Sequence, residues 1–301
     1  LEERVNAQVE RLVLDAREGE RLNGELRDKV RERSEALTRA LARIALRRGG
    51  RGIAEGTVLG GRFELRAVLG SGGMGAVYRA LDRATGEPVA VKVISATSAD
   101  ELDAMRRFLR EARASASVAH PGVVYARHVD VWHGQLYLVF ELVEGASLSE
   151  VLARSCGETR ALEPGAAAFL GARVAEVLAA AHEHGVLHRD IKPGNVMLAS
   201  HGAPVRLLDF GIARLRDAAQ VELTRTRAGA LLGTPAYMAP EQALDARDAR
   251  EPSDVYALGA MLFEALSGRL PFEGREVGRQ IVARLTSNPP PLARVARVER
   301  L

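Results

Sequence analysis

Several residue types are scarce in this sequence, and each scarcity narrows the classes of protein that it can belong to. The single cysteine, Cys156, excludes an internal disulfide, so we expect a reducing compartment such as the cytoplasm. No apolar run reaches the ~18 residues that cross a bilayer and no signal peptide is recognisable, so a membrane anchor would have to lie outside this chain. The chain starts at Leu1 rather than at a methionine, and we therefore expect a fragment of a longer protein.

An excess of charge of one sign is also missing. The 42 basic and 39 acidic residues give a net charge of +3, which does not favour nucleic acid as a partner. Lysine occurs only as Lys29, Lys92 and Lys192, and arginine supplies the other basic residues. Because a compact ammonium group suits a single phosphate oxygen better than a guanidinium does, Lys92 and Lys192 are candidates for phosphate contacts. Lys29 lies in a charged stretch and needs no such role.

Residues 1–48 contain almost no glycine or proline. Apolar residues recur there at spacings near three, four and seven, which predicts a long amphipathic helix similar to those of coiled coils. Self-association through this helix and packing against another domain agree equally well with the pattern. Gly49, Gly50 and Gly52 then predict a linker over residues 49–61.

From Arg62 onward the sequence pattern changes first to strands and then to helices. We predict an α+β chain with a β-rich unit over residues 62–143 and an α-rich unit over residues 144–301. The predicted strands are Phe63–Leu69, Ala76–Ala80, Val89–Ile94, Val123–Val131, Leu136–Phe140, Val196–Leu198 and Val205–Leu208. The predicted helices are Ala99–Val118, Pro164–His184 and Ser253–Ser267.

Three glycines, Gly70, Gly72 and Gly75, are spaced as Gly-x-Gly-x-x-Gly between two predicted strands. Backbone amides of such a turn can close over phosphate groups. The same spacing occurs in dinucleotide-binding loops, but those open a helix, whereas a strand follows here. The pattern therefore favours a phosphate-covering hairpin over a dinucleotide site.

Lys92 is the one charged residue in the apolar run Val89-Ala90-Val91-Lys92. A buried ammonium is costly unless it is paired. Glu111, on the helix predicted next, is the expected partner, and the pair would hold the ammonium group against nucleotide phosphates. The alternative is a strand-end lysine that faces solvent.

The polar loop His188-Arg189-Asp190-Ile191-Lys192-Pro193-Gly194-Asn195 is the strongest local signal in the chain. Asp190 can accept the proton of a substrate hydroxyl, Lys192 can neutralise a transferring phosphoryl group, and Asn195 can offer an amide oxygen to a metal ion. Asp209, in Asp209-Phe210-Gly211, follows an apolar strand and places a carboxylate where Mg²⁺ would need it.

In this order and at this separation, the four elements resemble the eukaryotic-like (Hanks-type) Ser/Thr protein kinases of bacteria, from about Gly61 to about Leu292. The resemblance implies a bilobal kinase fold, ATP with Mg²⁺ or Mn²⁺, and protein substrates with serine or threonine. It implies Asp190 and Lys192 as catalytic residues, Asn195 and Asp209 as metal ligands, and Phe140 as the gatekeeper. The implied ATP-binding residues are Leu69, Gly70, Ser71, Gly72, Gly73, Met74, Gly75, Val77, Ala90, Lys92, Glu111, Glu141, Val143 and Met197.

The resemblance carries further expectations. Lys192 and Thr234 match the Ser/Thr pattern, and Asp254 matches a buried acid that braces the catalytic loop. Activation is expected to follow phosphorylation at Thr224 or Thr226, which would give the guanidinium group of Arg189 a partner. Kinases of this family continue beyond the point that corresponds to Leu301, so the large lobe is expected to be incomplete.

Two other functions remain possible. A pseudokinase that senses nucleotide should have lost at least one of the four chemical groups at Lys92, Asp190, Asn195 and Asp209, and all four are present. A helix-mediated scaffold would depend on residues 1–48 alone. The active enzyme is therefore the preferred hypothesis.

Overall fold

A computed structural model describes most of the chain beyond the predicted linker. The described residues are 53–72, 75–94, 118–154, 161–201, 204–210, 235–245, 248–272 and 277–295. The helix predicted over residues 1–48 lies outside them. So does the predicted helix Ala99–Val118, except for Val118, which the structure places in a loop.

The first sheet has six antiparallel strands: β1 Val58–Leu59, β2 Phe63–Gly72, β3 Gly75–Asp82, β4 Pro88–Ile94, β5 His128–Trp132 and β6 Gln135–Glu141. Their order in the sheet is β1-β2-β3-β4-β6-β5. The side chains of each strand alternate between two faces, as β4 illustrates: Val89, Val91 and Val93 are buried, while Ala90 and Lys92 between them are partly exposed. The buried face packs against Phe63, Leu65 and Tyr137 in one apolar cluster.

The predicted strand Val123–Val131 is wrong in its first half, because β5 begins at His128. Val123 forms an isolated parallel bridge with Leu207, and the Val124 amide donates to the Leu207 carbonyl at 3.1 Å. Both valines are buried. Their hydrophobicity therefore serves a loop that packs on the second sheet rather than a strand of the first.

A second, three-stranded sheet has the order β7-β8-β9, with β7 Gly145–Ser147, β8 Val196–Ala199 and β9 Val205–Leu207. The strands β8 and β9 occur where the sequence predicted short strands. A 3₁₀ turn, Pro193–Asn195, leads directly into β8. The second sheet therefore brings the polar loop at 188–195 beside the segment that ends at Asp209.

Two long helices, α2 Pro164–Glu183 and α4 Glu251–Ser267, form the centre of the α-rich part and confirm the two helix predictions. Proline in the first turn suits a helix start, and Gly268, with a φ of 69°, supplies the left-handed residue that ends α4. Gly171 faces Leu262, where an added Cβ would approach a leucine methyl to 2.9 Å, so the two helices pack closely. The remaining helices are α1 Leu148–Arg154, α3 Pro240–Leu244, α5 Val277–Thr286 and α6 Leu292–Val295.

By length and composition, α2 is apolar enough to span a membrane. Several of its residues, among them Leu170, Val174 and Leu178, belong to the apolar cluster that α2 shares with α4 and the second sheet. Core helices commonly pass the same test of length and composition, so this observation alone does not indicate a membrane segment.

Candidate functional site

The glycine-rich segment forms the turn between β2 and β3. Gly75 has a φ of 136°, and a Cβ there would lie 1.8 Å from the Val93 carbonyl oxygen, so only glycine fits. A Cβ at Gly70 would meet nothing within 4 Å. Leu69 falls at a register shift between β2 and β3 and is half exposed. The chain therefore demands glycine at position 75, while position 70 borders open space.

One face of the first sheet carries the residues expected to meet a nucleotide. Val77 is the cross-strand partner of Lys92, and Ala90 is the partner of Phe140. Since direct partners and alternate residues of a strand share a face, these four side chains lie together opposite the buried valines of β4. The strand register thus assembles the group that the sequence predicted.

Lys92 reaches across to the segment after β9. Its Nζ donates to both carboxylate oxygens of Asp209 at 2.8 Å. The two side chains are 13% and 30% exposed, so the pair is shielded from most solvent. Desolvation opposes ionisation of Asp209, but the charge and hydrogen bonds of Lys92 outweigh it and lower the pKa of the carboxyl. An ionised carboxylate and an ammonium group are therefore in direct contact at this point.

The loop between α2 and β8 gathers the other charged groups. Lys192 Nζ donates to Asp190 Oδ2 at 2.6 Å. Asn195 Nδ2 donates to the same oxygen at 3.0 Å and to the Asp190 carbonyl at 2.7 Å. Asn195 is buried at the end of the 3₁₀ turn, so its amide fixes both the backbone and the side chain of Asp190.

Asp254, on α4, fixes the backbone of the loop between α2 and β8. Its carboxylate accepts hydrogen bonds from the backbone amides of His188 and Arg189 at 2.8 and 2.6 Å, and from His182 Nε2 at 2.9 Å. Burial would raise the pKa of Asp254, but the His182 hydrogen bond and the two backbone bonds lower it. The buried acid is therefore ionised and positions the backbone next to Asp190.

His188 links the loop to the Asp209 segment. Its Nε2 donates to the Leu208 carbonyl at 2.9 Å, while its Nδ1 accepts the Asp190 amide at 3.3 Å, an arrangement that needs the neutral ring. Burial lowers the pKa of His188 against the pull of nearby carboxylates. Arg189 and Asp209 both adopt left-handed backbone, with φ of 65° and 62°. Such strain at non-glycine residues clusters at functional sites.

Glu141 and Val143, which were predicted to meet the adenine edge, lie at the end of the first sheet. Glu141 ends β6, and Val143 precedes β7, half buried. Met197, on β8, is the cross-strand partner of Ser147 and of Arg206. The Glu141 carboxylate itself contacts two arginines, Arg127 and Arg206.

Several predicted residues lie outside the described part of the chain. They include Gly73, Met74, Glu111, Thr224, Thr226 and Thr234. The Lys92–Glu111 pair therefore stays a prediction. Among the described residues no group of three or more His, Cys, Asp or Glu side chains is placed to hold a metal ion.

Two contacts were not predicted. His182 supplies the third hydrogen bond to Asp254, and Gln242 Nε2 donates to the Arg189 carbonyl at 3.3 Å. Neither residue carries a local signal, because each acts on a loop far away in sequence. Only the order of the surrounding motifs could have directed attention to them.

Residues 63–291 match the protein kinase domain family, and the chain belongs to that family. The relatives that it matches include bacterial serine/threonine-protein kinases, in agreement with the Hanks-type resemblance. PknA of Mycobacterium tuberculosis (strain ATCC 25618 / H37Rv) is 39% identical over 244 residues, which are 79% of this chain and 54% of PknA.

Another relative, pkn2 of Myxococcus xanthus, is 43% identical over 246 residues, which are 79% of this chain and 28% of pkn2. The chain thus spans about half the length of PknA and less than a third of pkn2. Among solved structures, the kinase domain of Mycobacterium tuberculosis PknI superposes with a TM-score of 0.61 at 28% identity, covering 81% of this chain and 85% of that one. The fold prediction of a protein kinase is confirmed.

Proposed function

We propose that this chain is the catalytic core of an ATP-dependent protein serine/threonine kinase, which transfers the γ-phosphoryl group of ATP to a protein hydroxyl. The observation that carries the proposal is the pairing of Lys92 with Asp209 beside the group formed by Asp190, Lys192 and Asn195. The hydrogen bond from the Leu208 amide to the Asn195 carbonyl, at 2.9 Å, ties the pair and this group together.

The nucleotide would lie between the two sheets. Val77 and Ala90 offer an apolar surface on the side of the first sheet, and Met197 offers one on the second. The backbone at Glu141 and Val143 would meet the adenine edge. The open space beside Gly70 leaves room for phosphates under the glycine-rich turn, where a side chain would intrude.

Asn195 and Asp209 fit a magnesium site. Magnesium in phosphoryl-transfer enzymes uses one or two protein oxygen ligands and completes its coordination with phosphates and water. The Asn195 amide nitrogen is committed to Asp190, which leaves its oxygen for a cation. When bound, Mg²⁺ or Mn²⁺ would neutralise charge on the phosphate oxygens.

Asp190 is the proposed acceptor of the substrate proton. Lys192 and Asn195 hold one of its oxygens at 2.6 and 3.0 Å, which orients the carboxylate. Lys192, itself 16% exposed, can also reach charge that develops on the transferring phosphoryl group. The presence of all four groups argues against the pseudokinase alternative.

Other parts of the proposal rest on the sequence alone. Activation by phosphorylation at Thr224 or Thr226, and self-association through residues 1–48, concern residues outside the described part. A reducing compartment is proposed on the strength of the single cysteine. Protein substrates with serine or threonine are the proposed partners.

The first prediction concerns Asp209, the carboxylate that is paired with Lys92. Asp209→Ala should lower phosphoryl transfer to a serine/threonine peptide mixture by roughly 10³-fold, because the cation loses its carboxylate ligand. The assay measures label transferred from [γ-³²P]ATP by the full chain at fixed Mg²⁺, followed by phosphoamino acid analysis.

The matched control is Asp248→Ala, an exposed aspartate between α3 and α4. It should retain the wild-type rate. Near-normal transfer by a folded Asp209→Ala protein would show the metal assignment to be wrong, and phosphotyrosine as the product would contradict the substrate class.

A further inference from the structure

A cluster of three charged side chains near the end of β6 is not explained by the proposed chemistry. Arg127 Nη2 donates to Glu141 Oε2 at 2.8 Å. Arg206 Nη2 contacts the other carboxylate oxygen, Oε1. The carboxylate of Glu141 thus bridges two guanidinium groups, and we refer to Arg127, Glu141 and Arg206 as the hinge triad.

The triad is partly withdrawn from solvent. The side chains of Arg206 and Glu141 are 16% and 24% exposed, and Arg127 is 42% exposed. Arg206 Nε is buried and has no hydrogen-bond partner among the described residues. Burial, with a smaller contribution from the neighbouring charge of Arg127, lowers the pKa of Arg206. The Glu141 carboxylate is therefore the counter-ion of this partly buried guanidinium group.

Each member comes from a different segment. Glu141 is the last residue of β6, and Arg127 lies just before β5, where its amide donates to the Val139 carbonyl at 2.7 Å. Arg206 lies on β9, three residues before Asp209. One carboxylate therefore connects the segment expected to meet adenine with the strand that delivers the proposed metal ligand.

We propose that the hinge triad is a positioning device, in which the Glu141 side chain holds the backbone of residues 141–143 in the geometry that receives the adenine edge. This inference rests on the proposed function. The backbone of residues 141–143 would itself contact adenine. The Glu141 side chain would make no such contact and would act by fixing the position of that backbone relative to β9.

A neighbouring ion pair offers a comparison. Glu144 contacts Arg79 at 3.8 Å, but both side chains are at least half exposed. Exposed pairs at this distance contribute little. Glu144→Gln therefore changes the same charge only three residues away without disturbing a shielded bridge, and it serves as the control for Glu141→Gln.

The experiment measures the affinity of the full chain for two probes, adenosine and ADP, by isothermal titration calorimetry. Glu141→Gln should weaken the binding of adenosine and of ADP by about fivefold each, as expected for a residue that acts through a contact network. Arg206→Met should do the same, whereas Arg206→Lys, which keeps the charge, should stay within about twofold of the wild type. Glu144→Gln should leave both affinities unchanged.

Lys92→Met separates this inference from the proposed function. Loss of the ammonium group should weaken the binding of ADP but not that of adenosine, because only ADP carries phosphates. In the triad variants the ratio of the two affinities should instead stay constant. A purely structural role would lower the melting temperature and leave adenosine affinity unaltered.

Two outcomes would overturn the inference. If Glu141→Gln and Arg206→Met both bind adenosine as the wild type does, the triad does not position the adenine site. If the wild type binds neither adenosine nor ADP, the proposed function fails and this inference fails with it.

Discussion

The first sheet and the loop at 186–195 hold their charged groups by different means. Lys92 is placed by strand register, with Val77 on one side and Leu138 on the other as cross-strand partners. Asp190 lies in a loop with no such ladder, and its position depends on Asp254, Lys192 and Asn195. A backbone ladder distributes its support over many hydrogen bonds, whereas the loop concentrates it in a few side chains.

This difference teaches where single substitutions matter. In the sheet, side chains can change without loss of register, and sensitivity is confined to points where backbones approach closely. In the loop, the removal of one buried carboxylate leaves two backbone amides without an acceptor. The two regions should therefore respond to mutation in different ways.

The largest effect on stability is expected at Asp254. Asp254→Ala should lower the free energy of unfolding by about 3–5 kcal/mol, because it removes the acceptor of His182 and of two backbone amides from a buried position. Urea unfolding monitored by circular dichroism measures the loss. Asp248→Ala, at an exposed position, should stay within ~0.5 kcal/mol of the wild type. Equal midpoints for the two variants would mean that the loop has support beyond Asp254.

Within the sheet, alanine substitutions at Gly70 and Gly75 should have different effects on stability. Gly75→Ala should destabilise the protein by about 2–3 kcal/mol, since the added Cβ meets the Val93 carbonyl and the φ of 136° suits glycine alone. Gly70→Ala should cost less than about 1 kcal/mol, because its Cβ enters open space, but it should weaken ATP binding. Thermal melts and ATP titrations of both variants test this, and similar stabilities would contradict the assigned backbone geometry.

The smallest expected effect is a pH dependence from His188. Burial lowers the pKa of His188 in the folded protein, so the unfolded chain binds the proton more readily. The free energy of unfolding should therefore decrease as the pH drops below about 6.5, the ordinary pKa of histidine in an unfolded chain. Between pH 6.5 and 5.5 the free energy of unfolding should decrease slightly. His188→Phe should remove this part of the slope. An unchanged slope in the variant would show that His188 is not buried in its neutral form.

Local signals predicted much of the fold. Helix α2 was expected over Pro164–His184 and ends one residue earlier, and α4 begins at Glu251 rather than at Ser253. Strand β4 was expected over Val89–Ile94 and begins one residue earlier, at Pro88. These elements were predictable because their periodicity is written in consecutive residues.

Other features depended on contacts between distant segments. The apolar run from Val123 has strand composition, yet its backbone pairs with Leu207. Strand β7 and helix α1 were not predicted, since three residues of strand and a seven-residue helix carry little periodicity. Arg206 gave no signal, because arginine supplies nearly all the basic residues of this chain.

The bridge between Val123 and Leu207 also has a mechanical consequence. The Val124 amide donates to the Leu207 carbonyl, and the Leu207 amide donates to the Gly122 carbonyl at 2.7 Å, so backbone hydrogen bonds join the loop before β5 to β9. A rotation of the first sheet relative to the second that preserves these bonds has its axis near this point. Groups far from the axis, such as the glycine-rich turn, would undergo large displacements, while the displacement of Leu207 would be small. The Val124 and Leu207 amides should therefore exchange with deuterium equally slowly with and without ADP.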